Sequence, residues 1–286
     1  MDIVDAHCHI ISPDTDRYPR NPIGGKQSEW ASSRPVTAEQ LLDRMDQVGI
    51  GQAVLVQATT AYGYDNSYVI DSRRRWPDRF VAVGTFDPLA PDAGARLAEM
   101  IGDGGLVGVR LFTAGSTVAK QGEWFADPAT EEFWTAAGEA GVPVCVQMRL
   151  GEATPQLVSV LERYPTVRVL LDHLGYPDIA ASPKRAGADV AALARYPGLH
   201  LKLTHRNLER LRDAGPAAAD FLQPVVEAYG AGRILWGSNC PAAEQPLAEL
   251  VELAGDVLAV LPEATREDVF AGSARRLYPS LVRTVG

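Results

Sequence analysis

No apolar run in this sequence approaches the roughly 18 residues of a membrane span. The N-terminus enters Asp2 to Asp5 directly, with no basic stretch and no apolar segment of a secretory signal, so a cytoplasmic protein is expected. Cysteine is scarce: Cys8, Cys145 and Cys240 are an odd count without CxxC spacing. That excludes a disulfide scaffold and fits free thiols in a reducing compartment. Basic residues are in deficit, with 27 Lys and Arg against 36 Asp and Glu and a formal net charge of −9. The balance argues against nucleic acid or an anionic membrane as partner, while a local arginine cluster still leaves room for a small anionic substrate. A phosphate-binding P-loop, a GxSxG elbow, HExxH and an EF-hand loop are all absent. Histidine is rare too, with five in 286 residues.

What is there is a rhythm. Short runs rich in Val, Ile and Leu recur at 2–7, 52–57, 80–86, 107–112, 143–148, 167–173, 199–204 and 233–237. Most are continuously apolar rather than alternating, as suits strands covered on both faces in a parallel sheet. Helical patterns separate them at 38–49, 66–76, 91–102, 131–141, 154–164, 186–196 and 217–230. In the first, Thr37 is the expected cap, Leu41, Leu42, Met45 and Val48 form the apolar stripe, and Gly49 ends it. Asp127 or Thr130 is the expected cap of 131–141, and Pro224 is expected to start or kink a helix. The alternation predicts an α/β fold, a (β/α)8 TIM barrel forming a single domain over 1–286. The competing reading, an open doubly wound sheet, lacks a glycine-rich loop after the first strand. The longest irregular stretch, 11–36, follows strand one and is expected to lie over the barrel mouth.

In a barrel the chemistry collects at the C-terminal strand ends. His7 and His9 alternate onto one face there, a pairing suited to holding zinc or a similar metal, with Cys8 turned toward the helices. His173 closes the sixth run and is a third ligand or a group that polarises a carbonyl. Asp172, beside it, is expected on the opposite face of the strand. Asn239, in 236-WGSNCP-241, stands where a water-activating carboxylate is expected, and an amide has no basic site at neutral pH. Arg110, Arg149, Lys202 and Arg206 near strand ends need anionic partners, either structural carboxylates or a substrate. Gln147 and Tyr18 are added as neutral hydrogen-bonding groups, and Arg73 to Arg75 read as a solvated helix face.

Four motifs in order carry a resemblance: Asp5-x-His7-x-His9, 172-DHLG-175, 201-LKLT-204 and 236-WGSNCP-241. Together, and with 17-RYP-19 in the early loop, they resemble the amidohydrolase superfamily. Within it the sequence is most similar to the branch of 2-pyrone-4,6-dicarboxylate lactonases and sugar-acid lactonases. The resemblance implies a (β/α)8 barrel and hydrolysis of lactones, amides or esters, with decarboxylation in some relatives. It also implies a catalytic core at His7, His9, His173 and position 239, with Asn239 replacing an aspartate. For cofactor it implies either one divalent metal, zinc or manganese, on His7, His9 and His173, or a metal-independent route in which Arg110, Arg149 and Arg206 hold an anionic substrate. Gln147, at the end of strand five, departs from the ligand that metal-dependent relatives often place there.

The reading that follows is a hydrolase opening a small carboxylated lactone, with His173 polarising the carbonyl and Asn239 orienting water. Two alternatives stand beside it. One is a decarboxylation, isomerisation or cyclisation on the same scaffold. The other is a small-anion binder without catalysis. Self-association into a homo-oligomer is left open.

Overall fold

The computed structural model describes residues 1–102, 104–118 and 120–281. Eight strands form one sheet in sequence order: β1 Val4–Cys8, β2 Gln52–Val56, β3 Phe80–Thr85, β4 Gly108–Phe112, β5 Pro143–Gln147, β6 Arg168–Leu171, β7 Leu199–Thr204 and β8 Ile234–Gly237. Each neighbouring pair from β1 to β8 is parallel. The sheet closes just beyond β8, where Asn239 N donates to His7 O (2.7 Å) and His9 N donates to Cys240 O (2.8 Å). The result is a single-domain (β/α)8 barrel, as the alternation predicts. Among the described residues no helix is long and apolar enough to cross a membrane.

Strand alternation sorts the apolar residues into two cores. Ala53 and Leu55 of β2 join the layer between sheet and helices, while Val54 and Val56 face the barrel interior with Val4, Ala6, Val81, Val83, Cys145, Leu170 and Leu235. Ala271, Ala274, Leu277, Tyr278 and Leu281 pack against this inner set, so the C-terminal helical segment fills the end of the barrel away from the site.

The first long helix, Ala38–Val48, starts on a reciprocal capping box between Thr37 and Gln40 and stops at Gly49, whose φ is 73°. It buries Leu41 and Met45 completely and covers Leu42 and Val48 in part. Ahead of Glu131–Ala140, Asp127 caps a short 3₁₀ turn at Pro128–Thr130, and Gly141 ends the helix. Pro224 lies inside the helix Ala218–Tyr229 and does not start it. Among helices of ten or more residues, two escape the sequence reading, His205–Ala214 and Leu247–Leu258. The first carries only Leu208 and Leu211 as buried apolar residues in a run of charge, too thin a stripe to register by periodicity. The two ends of the stretch 11–36 are tied to each other through Ile11 N to Val36 O (2.7 Å), its middle is held by Asn21 N to Ala61 O (2.9 Å), and it includes a short helix, Glu29–Ser33.

Candidate active site

The mouth of the barrel is built first by the β1 and β8 ends. The pairing of β1 with β2 shifts between Asp5, opposite Ala53, and Cys8, opposite Leu55. Three residues on β1 thus span two on β2, the mark of a bulge. Asp5 is thereby separated from the histidines: it accepts from Ser238 N (2.9 Å), from the Ser238 hydroxyl and from His7 N (3.0 Å). It is a clamp that holds the strand-eight turn against β1. Gly237 allows the close approach, since a Cβ there would sit 2.5 Å from His7 Cβ. The turn places Asn239 at φ 60°, a left-handed conformation that asparagine tolerates better than most residues.

Strand β6 ends at Leu171, two residues earlier than its apolar run suggests. His173, Leu174, Gly175 and Tyr176 then take positive φ in succession. Asn207 Nδ2 holds this left-handed turn at His173 O (2.9 Å), and Leu150 N holds it at Gly175 O (2.9 Å). The expectation that Asp172 and His173 face opposite ways is therefore corrected. The turn breaks the alternation, and both side chains enter the barrel.

His7, His9 and His173 come together, with ring centroids 4.9 Å apart for His7–His9 and 5.2 Å for His7–His173. Each has one ring nitrogen engaged. His9 Nδ1 meets Val56 O at 2.7 Å, His173 Nδ1 meets Thr204 Oγ1 at 2.7 Å, and His7 Nδ1 meets Lys202 Nζ at 3.0 Å. Below them lies a buried charge network. Asp172 faces Lys202 Nζ at 2.9 Å as an ion pair and accepts from Arg110 Nε at 2.9 Å, and Arg110 continues to Gln147 Oε1. Gln147 Nε2 in turn donates to Tyr176 Oη (3.0 Å).

Above this floor a cavity of about 270 Å³ is lined by His9, His173, Asn239, Arg110, Gln147, Arg149 and Arg206, with Trp30, Phe112 and Tyr176 as aromatic walls. Among the described residues neither Arg149 nor Arg206 makes an ion pair. Seven of the ten residues singled out in the sequence thus line one cavity. His7 sits beneath it, buried. Two are corrected. Lys202 is fully buried under His7 and held by Asp172, so it is part of the floor rather than a substrate contact. Tyr18 donates to Asp71 Oδ2 (2.8 Å) in an outer cleft and does not line the cavity. Sequence reasoning missed Trp30, stacked on His9 at 5.1 Å and 24°, and Asp172, the anion that Arg110 and Lys202 require. An aromatic in a long loop after strand one was the available signal for Trp30.

The charges decide what the site can hold. Burial lowers the pKa of His7 well below its ordinary value, with Lys202 adding to the effect against Asp172. Burial and Arg110 bring His9 down to about 3. Burial also lowers His173 well below its ordinary value; Asp172 pulls the other way, and Arg110 and Arg206 add to the lowering. Burial alone pushes Asp172 upward, but Lys202, His7 and Arg110 overcome it and hold the carboxyl well below its usual range. The mouth therefore carries neutral imidazoles, an ionised but already paired carboxylate, and an excess of cationic side chains. Neutral imidazoles are competent metal ligands, but the surrounding cations and the already paired Asp172 fit a resident dication poorly. Asn239 offers an amide where an acid would help, and among the described residues no three His, Cys, Asp or Glu side chains stand as a metal-holding group. The same field suits an anion.

These shifts also set the acid response of the fold. A histidine held neutral takes its proton first in the unfolded chain, so stability falls as pH drops below about 6.5. The buried His9 and His205, both lowered to about 3, act down to that pH, and His200, lowered to about 4, acts in the same direction. Asp5 opposes them: burial raises it to about 6 despite its Ser238 bonds, so its burden on stability fades as pH falls from there toward 3.8. Asp172 stabilises above 3.8 and loses that contribution only in stronger acid. The histidines outnumber Asp5, so the urea midpoint is expected to drop from pH 7 to pH 5, each buried histidine adding up to about 1.4 kcal/mol per pH unit. A midpoint that is flat or rises over that interval contradicts this assignment.

Comparison with known proteins agrees with the architecture. The family model described as amidohydrolase matches residues 4–280. An L-fucono-1,5-lactonase of Burkholderia ambifaria is 28% identical over 250 residues, covering 84% of this chain and 80% of the relative. Among solved structures, a candidate 2-pyrone-4,6-dicarboxylic acid hydrolase of Pseudomonas putida superposes with a TM-score of 0.80 at 23% identity, covering 99% of both chains. A zinc-bound amidohydrolase of Burkholderia multivorans superposes with a TM-score of 0.75 at 22% identity, covering 98% of this chain and 99% of that one. With a match that spans nearly its whole length and a barrel mouth built on the expected histidines, the chain belongs to the amidohydrolase family of hydrolytic enzymes.

Proposed function

We propose that this enzyme opens a small lactone bearing a carboxylate. The observation that carries the reading is one cavity lined both by the neutral histidines His9 and His173 and by the guanidiniums of Arg110, Arg149 and Arg206. The lactonase name of the Burkholderia ambifaria relative points the same way. Arg149 and Arg206 at the rim grip the substrate carboxylate, with Arg110, anchored by Asp172, as the inner wall. The scissile carbonyl lies toward His173. With the Thr204 hydroxyl proton directed at Nδ1 (2.7 Å) in preference to Asn207 Oδ1 (3.4 Å), His173 presents Nε2–H to the carbonyl oxygen. Asn239 orients the attacking water.

The water oxygen bonds to the carbonyl carbon, the ring C–O bond breaks, and the departing oxygen ends protonated as a hydroxyl. The proton lost by water needs an acceptor. Asn239 cannot take it, and His9 can: Val56 O engages Nδ1–H, which leaves a lone pair on Nε2. At a pKa of about 3, His9 is a weak base for this task. Slow turnover is the consequence.

The test is mass balance in isotopically labelled water over a panel of carboxylated and uncharged lactones. Hydrolysis puts one labelled oxygen into the product and favours the carboxylated members. A product without added water supports decarboxylation or isomerisation instead. Thermal stabilisation by the lactone without any product identifies a binder.

The cationic floor also bears on metal. Protein purified without chelator is expected to hold well under one zinc or manganese per chain by ICP-MS, and EDTA is expected to leave kcat unchanged. Stoichiometric metal, or activity lost to EDTA and restored by zinc, overturns the metal-independent route. We place the enzyme in the cytoplasm, in keeping with its three free and buried thiols.

A further inference from the structure

We propose that Lys202 is a positioning residue that fixes the tautomer of His7, making His7 an N–H donor to the reacting carbonyl oxygen beside His173. The proposal rests on the lactonase reading for its chemical purpose, but the tautomer can be observed without any substrate.

The geometry begins with the ammonium. Lys202 Nζ makes hydrogen bonds to His7 Nδ1 at 3.0 Å and Cys145 Sγ at 3.4 Å, and stands 2.9 Å from Asp172 Oδ1 as an ion pair. An ammonium has three donors and no lone pair. His7 Nδ1 must therefore accept, and a neutral imidazole whose Nδ1 accepts carries its proton on Nε2. The Asp172 carboxylate reinforces the choice, because it keeps the Lys202 charge in place and is itself steadied by Arg110. His7 also stands 3.6 Å from Asp172 Oδ1, too far for a good hydrogen bond that would draw the proton to Nδ1.

The other nitrogen of His7 is then a donor in need of an acceptor. His7 Nε2 is buried and has no hydrogen-bond partner among the described residues. Such an orphan is rare in a well-packed interior and marks a group waiting for a ligand or a catalytic task. The rings packed beside His7 are His9 and His173, and both line the cavity. A carbonyl oxygen drawn between those rings is the acceptor this donor lacks. Hydrolysis builds negative charge on that oxygen, so a preorganised donor strengthens as the reaction proceeds. Lys202 itself never touches substrate.

The experiment is a nitrogen-15 correlation spectrum of the histidine rings near neutral pH, with the His7 signals assigned by their loss in His7→Gln. The expected spectrum shows His7 protonated on Nε2 and bare on Nδ1. In Lys202→Met the His7 ring shifts toward the other tautomer. In an Asn239→Asp background the same substitution lowers kcat by about 10²-fold with little change in KM, the size of effect seen on losing one oriented donor. His7→Gln, which keeps an N–H near Nε2, retains more activity there than His7→Leu. A wild-type His7 protonated on Nδ1 overturns the proposal, even if Lys202→Met fails to fold, and so does equal loss in the two His7 variants. Failure of Asn239→Asp to open any lactone refutes the function instead, leaving the tautomer to be decided by the spectrum.

Discussion

Asn239→Asp raises kcat on a carboxylated lactone by about 10²- to 10⁴-fold, the usual worth of a well-placed general base. The backbone can accept the change. Asn239 sits at φ 60°, a region that aspartate visits nearly as readily as asparagine. Its turn is held independently of its side chain, by Asn239 N to His7 O, by Ala243 N to Asn239 O (3.0 Å), and by Asp5 gripping Ser238. The side chain at 239 faces the cavity alongside His9, His173 and Arg206. A carboxylate there gains from the neighbouring cations, stays ionised, and takes the proton that water must lose. His9 then no longer has to serve as the acceptor. Steady-state rates for wild type and Asn239→Asp on the same lactone panel, with thermal melts to confirm equal folding, make the comparison. A folded variant with no gain on any carboxylated lactone sinks the hydrolytic reading of position 239.

Asp172→Ala is expected to destabilise the protein by about 3–5 kcal/mol, the range for breaking a buried ion pair from one side. Asp172 is fully buried, Lys202 is fully buried, and Arg110 is nearly so. Removing the carboxylate leaves two cations in the barrel interior, shielded from solvent and with no other ion-pair partner among the described residues. The loss comes less from the attraction that vanishes than from the charges left unpaired. Urea unfolding at pH 7 measures it. Double replacement of Asp172 by Leu and Lys202 by Met should recover part of the loss, because it removes the charge along with its partner. A single-variant loss under about 1 kcal/mol contradicts the view that this network is the barrel's main internal ion cluster.

Both predictions turn on residues that local pattern handles unequally. Position 239 was legible because Ser-Asn-Cys-Pro follows a short apolar run at the expected end of strand eight. The network under it was not. Lys202 reads as one more cation near a strand end, and nothing local says that it is sealed beneath His7. Asp172 was placed on the wrong face because alternation was carried two residues too far. The left-handed turn at His173 to Tyr176 begins where β6 stops, and it is held by Asn207 and Leu150, from other parts of the chain. Tyr18 reads from sequence as a neutral hydrogen-bonding group of the site, yet its hydroxyl reaches Asp71 instead.

The sequence by itself determined the eight buried strands, the parallel barrel they close into, and the meeting of His7, His9, His173 and the arginines at one mouth. Those follow from hydrophobic periodicity and from the rule that all strand ends of a parallel barrel point the same way. Tertiary structure alone decided which charges are paired and which are open, which histidine nitrogen is engaged, and which loop residue walls the cavity. Burial, ion pairing and tautomer each depend on groups tens to hundreds of residues apart, as Lys202 and His7 show, and no local pattern carries that information.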